Sequence, residues 1–168
     1  MLQTANKVTI KLNLGCGLDR KEGYKGVDIR PLPTVDFVAD VRALPFDDAS
    51  VEEIFSQDII EHLPSKDIEP TLREWQRVLI PGGILEMRTP DFFRIFRAAI
   101  IRRLPSGIIF HLIFGDQSES SGGAEWGSHK FGCSQEEWEE LLKRTGYTNI
   151  TVNTHPTEYN LHLLARKA

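Results

Sequence analysis

Residues 8–17, VTIKLNLGCG, and residues 24–28, YKGVD, decide the fold of this chain. An apolar run that stops at Gly-x-Gly is typical of a buried parallel strand whose end lets a ligand touch the backbone, because a Cβ there would block close approach. Asp28 ends the next apolar run, where a carboxylate is placed to accept hydrogen bonds from the two vicinal hydroxyls of a ribose. Together these features predict a site for a nucleoside cofactor.

The spacing between the glycines and this acid separates two classes of cofactor. A dinucleotide fingerprint requires a third Gly or Ala three residues after the second glycine, and an acid about twenty residues further on. Here Arg20 holds the third position, and Asp28 follows Gly17 by only eleven residues. The pattern disfavours a nicotinamide cofactor, and a nicotinamide oxidoreductase is kept as an alternative.

Three further motifs follow in order: residues 40–46, DVRALPF, residues 56–62, SQDIIEH, and residues 77–83, RVLIPGG. Each alone is typical of an ordinary turn or strand end, but independent turns have no reason to recur in one order and spacing. With residues 14–17, LGCG, and Asp28, they resemble the motifs of compact, type 11-like class I S-adenosylmethionine-dependent methyltransferases. The resemblance implies an α/β fold, with a doubly wound, Rossmann-like sheet of about seven strands, mostly parallel with an antiparallel C-terminal strand.

The resemblance also implies S-adenosyl-L-methionine as cofactor, held by Asn13, Leu14, Gly15, Cys16, Gly17, Asp28, Ile29, Asp40, Val41 and Gln57. Asp28 would bind the ribose hydroxyls, and Ile29 would lie against the adenine. Asp40 would accept from the adenine amino group, while the Val41 backbone pairs with a ring nitrogen. Gln57 would face the reacting sulfonium.

The glycine loop departs from the family pattern in composition. Its backbone at Leu14, Gly15 and Gly17 would approach the methionine part of the cofactor, and Cys16 is expected to be a small filler rather than a nucleophile. Asn13 stands where the family usually has an acid, and its amide oxygen is expected to accept from the cofactor's ammonium.

The connection after the loop is short as well. Only nine residues separate Gly17 from Val27, whereas a crossover between parallel strands usually takes a dozen or more. Few residues precede the first strand. We therefore expect the first helices to be shortened or absent and the cofactor cleft to be open.

Hydrophobic patterning predicts strands alternating with helices in one domain over residues 1–168, with a variable acceptor-side segment at 91–131. A helical stripe from Ile68 to Leu79 is expected to end at a Pro81-Gly82-Gly83 turn, and a capping box at Ser134 is expected to start a second helix that stops at Gly146. The predicted strands span residues 8–14, 24–29, 35–39, 51–56, 84–88, 149–152 and 159–165.

The hydrophobic content, net charge and cysteine count exclude several classes of partner and structure. The 168 residues are 40% hydrophobic and carry a formal net charge of −4, which argues for one core and against a long polyanionic partner such as nucleic acid. No apolar run reaches the roughly twenty residues of a membrane span, and Cys16 and Cys133 form no disulfide framework. A cytoplasmic protein that methylates a small-molecule acceptor is expected.

Candidates for a general base follow the fourth and fifth predicted strands. Asp91 and His129 are placed to face the cleft, because ligands bind beyond the carboxyl ends of parallel strands. Glu61 and His62 are expected to cap or pack instead. The base is optional, since the sulfonium already activates its methyl group, and no residue cluster has the spacing of metal ligands.

Residues 92–114 are amphipathic and basic if drawn as one helix. Arg94, Arg97 and Arg102 would share one side, and apolar residues the other. The segment is expected to pack on the sheet, with a lid over the acceptor and an interfacial membrane segment as alternatives. Apolar rims exposed beside an open cofactor cleft also favour a homodimer or a partner subunit. A non-catalytic cofactor-binding module is the alternative function.

Overall fold

A computed structural model describes residues 9–101, 104–155 and 159–168 of the chain. Two predicted positions, Val8 at the start of the first strand and Arg102 on the basic helix face, lie outside these ranges. The strands are β1 (Ile10–Leu14), β2 (Lys25–Asp28), β3 (Phe37–Val38), β4 (Val51–Gln57), β5 (Leu79–Pro90), β6 (Tyr147–Thr154) and β7 (Asn160–Lys167).

Five α-helices and two 3-10 turns accompany the strands in the described parts of the chain. The helices are α1 (Ser65–Val78), α2 (Phe92–Ile100), α3 (Ser106–Phe114), α4 (Gly123–Gly127) and α5 (Gln135–Arg144). The 3-10 turns are Ile60–His62 and Glu119–Ser121. The connections from β1 to β4 carry no helix, which confirms, for this part of the chain, the prediction that the first helices are shortened or absent.

The seven strands form one sheet in the order β3-β2-β1-β4-β5-β7-β6. The pairs among β1 to β5 are parallel, and β7 runs antiparallel to both of its neighbours. The chain therefore has the predicted mixed, Rossmann-like α/β sheet. Because the order reverses beside β1, the carboxyl ends of β1, β2 and β4 meet at one edge, where such sheets bind ligands.

The two predicted helices with clear signals are confirmed. In α1 a buried face of Ile68, Leu72, Trp75 and Val78 packs into the core, as its spacing predicts. In α5, Ser134 and Glu137 form the predicted capping box. The Glu137 N–H donates to Ser134 Oγ, and the Ser134 N–H donates to the Glu137 carboxylate. These helices cover the sheet away from the ligand edge.

Three sequence expectations need correction. The Pro81-Gly82-Gly83 segment is not a separate turn, because β5 runs through it with an irregular register against β4 and with Gly82 at φ +76°. The third strand is reduced to two residues. Residues 92–114 form two helices rather than one, and α3 begins directly after Pro105, a residue that favours a helix start and opposes a helix interior.

Candidate functional site

The glycine loop after β1 has a backbone that only glycine adopts easily. Gly15 has φ +61° and Gly17 has φ +52°, in the left-handed region that costs other residues about 1–2 kcal/mol. A Cβ built on Gly15 would lie 2.0 Å from Cδ1 of Ile59, which packs directly on the loop. The loop is thus shaped for close approach to its backbone.

Asp28 lies at the end of β2, where it faces this loop. One carboxylate oxygen, Oδ2, accepts from the Gly17 N–H at 2.9 Å, and Oδ1 accepts from the Arg30 N–H at 2.9 Å. The Arg30 guanidinium is also 3.3 Å from Oδ1. The side chain is 5% exposed, so the carboxylate is held in one orientation. A carboxylate has roughly four acceptor positions, so these three donors leave one for a ribose hydroxyl, and a second hydroxyl would take the place of the Arg30 guanidinium contact.

Asn13 does not have the freedom that the sequence suggested. Its Oδ1 accepts from the Lys21 N–H at 2.8 Å, so the side chain secures the end of the glycine loop to β1. Cys16 is buried, and burial together with the Asp28 charge raises the pKa of its thiol. The thiol stays protonated near neutral pH, as expected of a filler. Leu14 is fully buried and can offer a ligand only its backbone.

The residues assigned to adenine lie after β3. Asp40 is held by Arg42 through a two-pronged ion pair, with Arg42 Nη2 2.6 Å from Oδ2, and this pairing lowers the pKa of the carboxyl. The Val41 carbonyl accepts from Trp75 Nε1 at 2.8 Å. The Trp75 indole thus anchors the backbone at Val41, while Ile29, which follows β2, is 38% exposed and forms part of the cavity wall.

These residues border a cavity of about 560 Å³, a size typical of small-molecule sites. Gln57, at the end of β4, is part of the wall of this cavity. From the predicted adenosine side to the opposite wall, the lining includes Gly15, Asp28, Ile29, Asp40, Val41, Gln57, His62, His111, Trp126 and His129. The structure thus brings most of the predicted cofactor residues together with one of the two catalytic candidates.

A smaller cavity of about 410 Å³ adjoins the first and shares Gly15, Gln57 and Asp58 with it. Its wall includes the cations Lys21 and Arg88. This cavity lies on the other side of the glycine loop. The same wall also includes the acids Asp19 and Asp58, so the cavity offers charged partners of both signs to a ligand whose remainder lies in the larger cavity.

His129 is the catalytic candidate that reaches the main cavity. Its ring centroid is 5.0 Å from that of His62 and 5.8 Å from that of Phe92, whose ring it meets edge-on. Burial, followed by the effect of His62, lowers the pKa of His129 to about 4. Its ring is neutral at pH 7 and is a weak base, because a general base is most effective with a pKa near the working pH.

The other catalytic candidate, Asp91, has a structural position. Asp91 is the N-cap of α2: its Oδ1 accepts from the Arg94 N–H at 3.0 Å and its Oδ2 from the Thr154 hydroxyl at 2.9 Å. It is 6% exposed and does not border either cavity. The expectation that Asp91 faces the cleft is corrected, because the side chain turns back to satisfy the helix terminus.

Two features of the site were not anticipated from the sequence. Asp58, next to Gln57, has φ +53°, a strained conformation for a non-glycine residue that is often found at functional sites. Glu61, His62 and His129 each offer a ligand atom within 4.8 Å of the others. Spacing indicated no such cluster, because His129 is far from the other two in the chain and only the fold brings it near.

Residues 12–87 match the family described as a methyltransferase domain. A comparison with curated protein sequences found no match. Among solved structures, the PH0226 protein of Pyrococcus horikoshii is 19% identical with a TM-score of 0.66, over 97% of this chain and 84% of that one. A SAM-dependent methyltransferase of Methanosarcina mazei is 18% identical with a TM-score of 0.62, over 97% and 94%.

A third similar structure is a putative methyltransferase in complex with the Haloferax volcanii Trm112 methyltransferase activator. It is 16% identical with a TM-score of 0.60, over 93% of this chain and 81% of that one. The similarity of residues 12–87 to a methyltransferase domain, the strand order and the lining of the cavity support a nucleoside-cofactor enzyme of the α/β class. These similarities support a class I S-adenosylmethionine-dependent methyltransferase, with S-adenosylmethionine as the cofactor that the matched domain implies.

Among the helices of the described segments, none has both the length and the apolar character that crossing a bilayer requires.

Proposed function

We propose that this enzyme transfers the methyl group of S-adenosylmethionine to a small-molecule acceptor bound between Gln57 and His129. One observation carries the proposal: a single cavity runs from the Asp28 and Asp40 carboxylates, past Gln57, to the histidines on the opposite wall. The cofactor's nucleoside would fill only the first part. The remainder is room for an acceptor directly beyond the methyl donor.

The cofactor would be held by groups that the fold already orients. Asp28 would accept from the ribose hydroxyls, and Asp40 from the adenine amino group, with the Val41 N–H donating to a ring nitrogen. The methionine part would pass the glycine loop, and its carboxylate would be attracted by Lys21 and Arg88 in the adjoining cavity.

Methyl transfer mainly requires that the acceptor atom is aligned with the methyl group of the cofactor. The acceptor atom attacks the methyl carbon in line with the carbon–sulfur bond, and the bonding pair leaves with sulfur to give S-adenosylhomocysteine. Holding the two reactants in this geometry and excluding water accounts for much of the acceleration. His129 is proposed to contact the acceptor on the wall opposite the adenosine, and its low pKa favours positioning over proton removal.

The acceptor is proposed to be a small molecule rather than a nucleic acid. A net charge of −4 gives little attraction for a polyanion. Two free cysteines, Cys16 and Cys133, agree with a reducing compartment, and we propose a cytoplasmic location on that basis.

A partner is proposed on the acceptor side. In α3 no residue is buried, and the exposed fractions of Ile108, Phe110 and Phe114 are 47%, 59% and 52%. Apolar patches of this kind mark contact surfaces. A second copy of the chain or a partner subunit covering α3 would complete the wall of the acceptor cavity.

The test is an acceptor screen that reads cofactor turnover. Purified protein is incubated with S-adenosylmethionine and panels of small hydroxyl-, amine-, thiol- and carbon-acid compounds, and S-adenosylhomocysteine and methylated product are quantified by mass spectrometry. We expect acceptor-dependent release of S-adenosylhomocysteine. Tight S-adenosylhomocysteine binding with transfer only to a partner protein, or only in its presence, would contradict the small-molecule proposal and favour a partner subunit.

A further inference from the structure

Glu61, His62 and His129 form a cluster beneath the acceptor side of the cavity, and their ligand atoms lie within 4.8 Å of one another. Glu61 and His62 belong to the 3-10 turn after β4. His129 comes from the loop that precedes α5. Methyl transfer as proposed above uses neither Glu61 nor His62, so the cluster calls for its own explanation.

The buried carboxylate of Glu61 has one oxygen without a hydrogen-bond partner in the described residues. Its side chain is 0% exposed. Oε2 accepts from the Thr89 hydroxyl at 3.3 Å, but Oε1 has no hydrogen-bond partner among the described residues. Buried polar atoms are nearly always paired, since an unpaired carboxylate is costly in an apolar interior. Burial, and then the Asp58 charge, raises the pKa of Glu61 well above its usual range.

The two histidines are arranged as ligands usually are. His62 Nδ1 is 3.0 Å from the Ser128 carbonyl oxygen, so that its N–H donates there and Nε2 is the nitrogen left for a metal. Metal-bound histidines generally donate their second ring nitrogen to such a carbonyl. His129 Nδ1 is buried and, like Glu61 Oε1, has no partner in the described segments.

The backbone fixes the three residues relative to one another. The amides of Lys130 and Phe131 donate to the Glu61 carbonyl at 2.7 Å and 3.0 Å, which joins the His129 loop to the turn that carries Glu61 and His62. The His129 amide donates to the Phe114 carbonyl at 3.1 Å. The cluster is thus held by hydrogen bonds on two sides rather than by a chance approach of mobile side chains.

We propose that Glu61, His62 and His129 bind a divalent transition-metal ion of the zinc class. Two imidazoles and one carboxylate form a donor set suited to zinc, whereas magnesium and calcium prefer oxygen ligands. Tetrahedral coordination would bring the three ligand atoms to about 3.3 Å from one another, a shift that side-chain rotations supply. Three protein ligands leave a fourth position, and His62 and His129 border the cavity, so that position faces the acceptor.

The test measures metal binding without cofactor or acceptor, so its outcome is independent of the proposed methyl transfer. Protein stripped with a chelator is titrated with Zn²⁺ by calorimetry, and with Co²⁺ while the visible spectrum is recorded. We expect one ion per chain and the strong visible absorption of a four-coordinate Co²⁺ site. Glu61→Gln and His129→Asn are each expected to weaken Zn²⁺ binding at least about 100-fold.

Two controls keep the test decisive. Glu61→Gln keeps the size of the buried side chain and removes its charge, so its melting temperature without metal should equal or exceed that of the parent chain. His111→Gln changes a histidine of the same cavity outside the cluster and should leave the Zn²⁺ affinity unchanged. The proposal would be overturned if the parent chain did not bind Zn²⁺. It would also be overturned if Glu61→Gln and His129→Asn bound Zn²⁺ as tightly as the parent chain does.

Discussion

The glycine loop after β1 and the segment after β5 face the same cavity, but the structure holds them in different ways. The loop is secured by buried side chains: Asp28 accepts from Gly17, and Asn13 accepts from Lys21. The later segment leaves α3 without a buried residue, and its His129 loop is attached through backbone bonds to Phe114 and Glu61. The cofactor side of the cavity is therefore formed by residues buried in the sheet, whereas the acceptor side is formed by a helix and a loop that lie on its surface.

The largest expected effect comes from making the same substitution, glycine to alanine, once in each of the two regions. Gly15→Ala places a Cβ against Ile59 at a left-handed position, and we expect at least about 100-fold weaker binding of S-adenosylhomocysteine with some loss of stability. Gly107→Ala in α3 meets nothing within 4 Å and should leave binding unchanged. Calorimetric titration of both variants provides the measurement. Equal affinities would mean that the loop does not approach the cofactor.

A second prediction concerns the wall opposite the adenosine. His129→Ala should lower turnover of an identified acceptor by about 100-fold, because the acceptor loses a side chain that positions it, whereas the affinity for S-adenosylhomocysteine should stay within about twofold. His162→Gln changes a histidine on β7 that lines neither cavity and serves as the control. The account of His129 fails if the variant only melts earlier and the folded fraction turns over at the parent rate.

A third prediction tests the exposed surface of α3. If this face joins two copies, Phe110→Ser should weaken self-association about tenfold, because a buried Phe contributes roughly 1.5–3 kcal/mol. Leu164→Ser, which changes an exposed apolar residue on β7, should have no such effect. A light-scattering dilution series measures both. A strict monomer of the parent chain at high concentration would leave only a different partner subunit for this surface.

The smallest expected effect is that of Asp91→Ala. Removing the cap of α2 should cost about 1 kcal/mol of unfolding free energy, measured by denaturant titration, with turnover unchanged. Retained stability with a large fall in turnover would restore Asp91 to the acceptor site.

The same contrast explains what the sequence could predict. The mixed, mostly parallel sheet and the helix-free connections after β1 were predictable, because the strand patterns and the short spacing from Gly17 to Val27 act through local backbone geometry. The cofactor roles of Gly15, Gly17 and Asp28 stay predictions. The assembly of Glu61 with His129 was not, since residues distant in the chain meet only through the loop bonds to the Glu61 carbonyl. The positions of Asp91 and Asn13 were predictable, but their hydrogen-bond partners, Thr154 and Lys21, were not.

The most direct test of the central claim is calorimetric titration of S-adenosylhomocysteine into the parent chain and into Asp28→Ala, with Asp47→Ala, an exposed acid, as control. We predict one site per parent chain, an affinity about 100-fold lower for Asp28→Ala as the ribose loses a bidentate charged acceptor, and parent-like affinity for Asp47→Ala. Binding by Asp28→Ala as tight as by the parent, or binding of a nicotinamide dinucleotide in place of S-adenosylhomocysteine, would contradict the account.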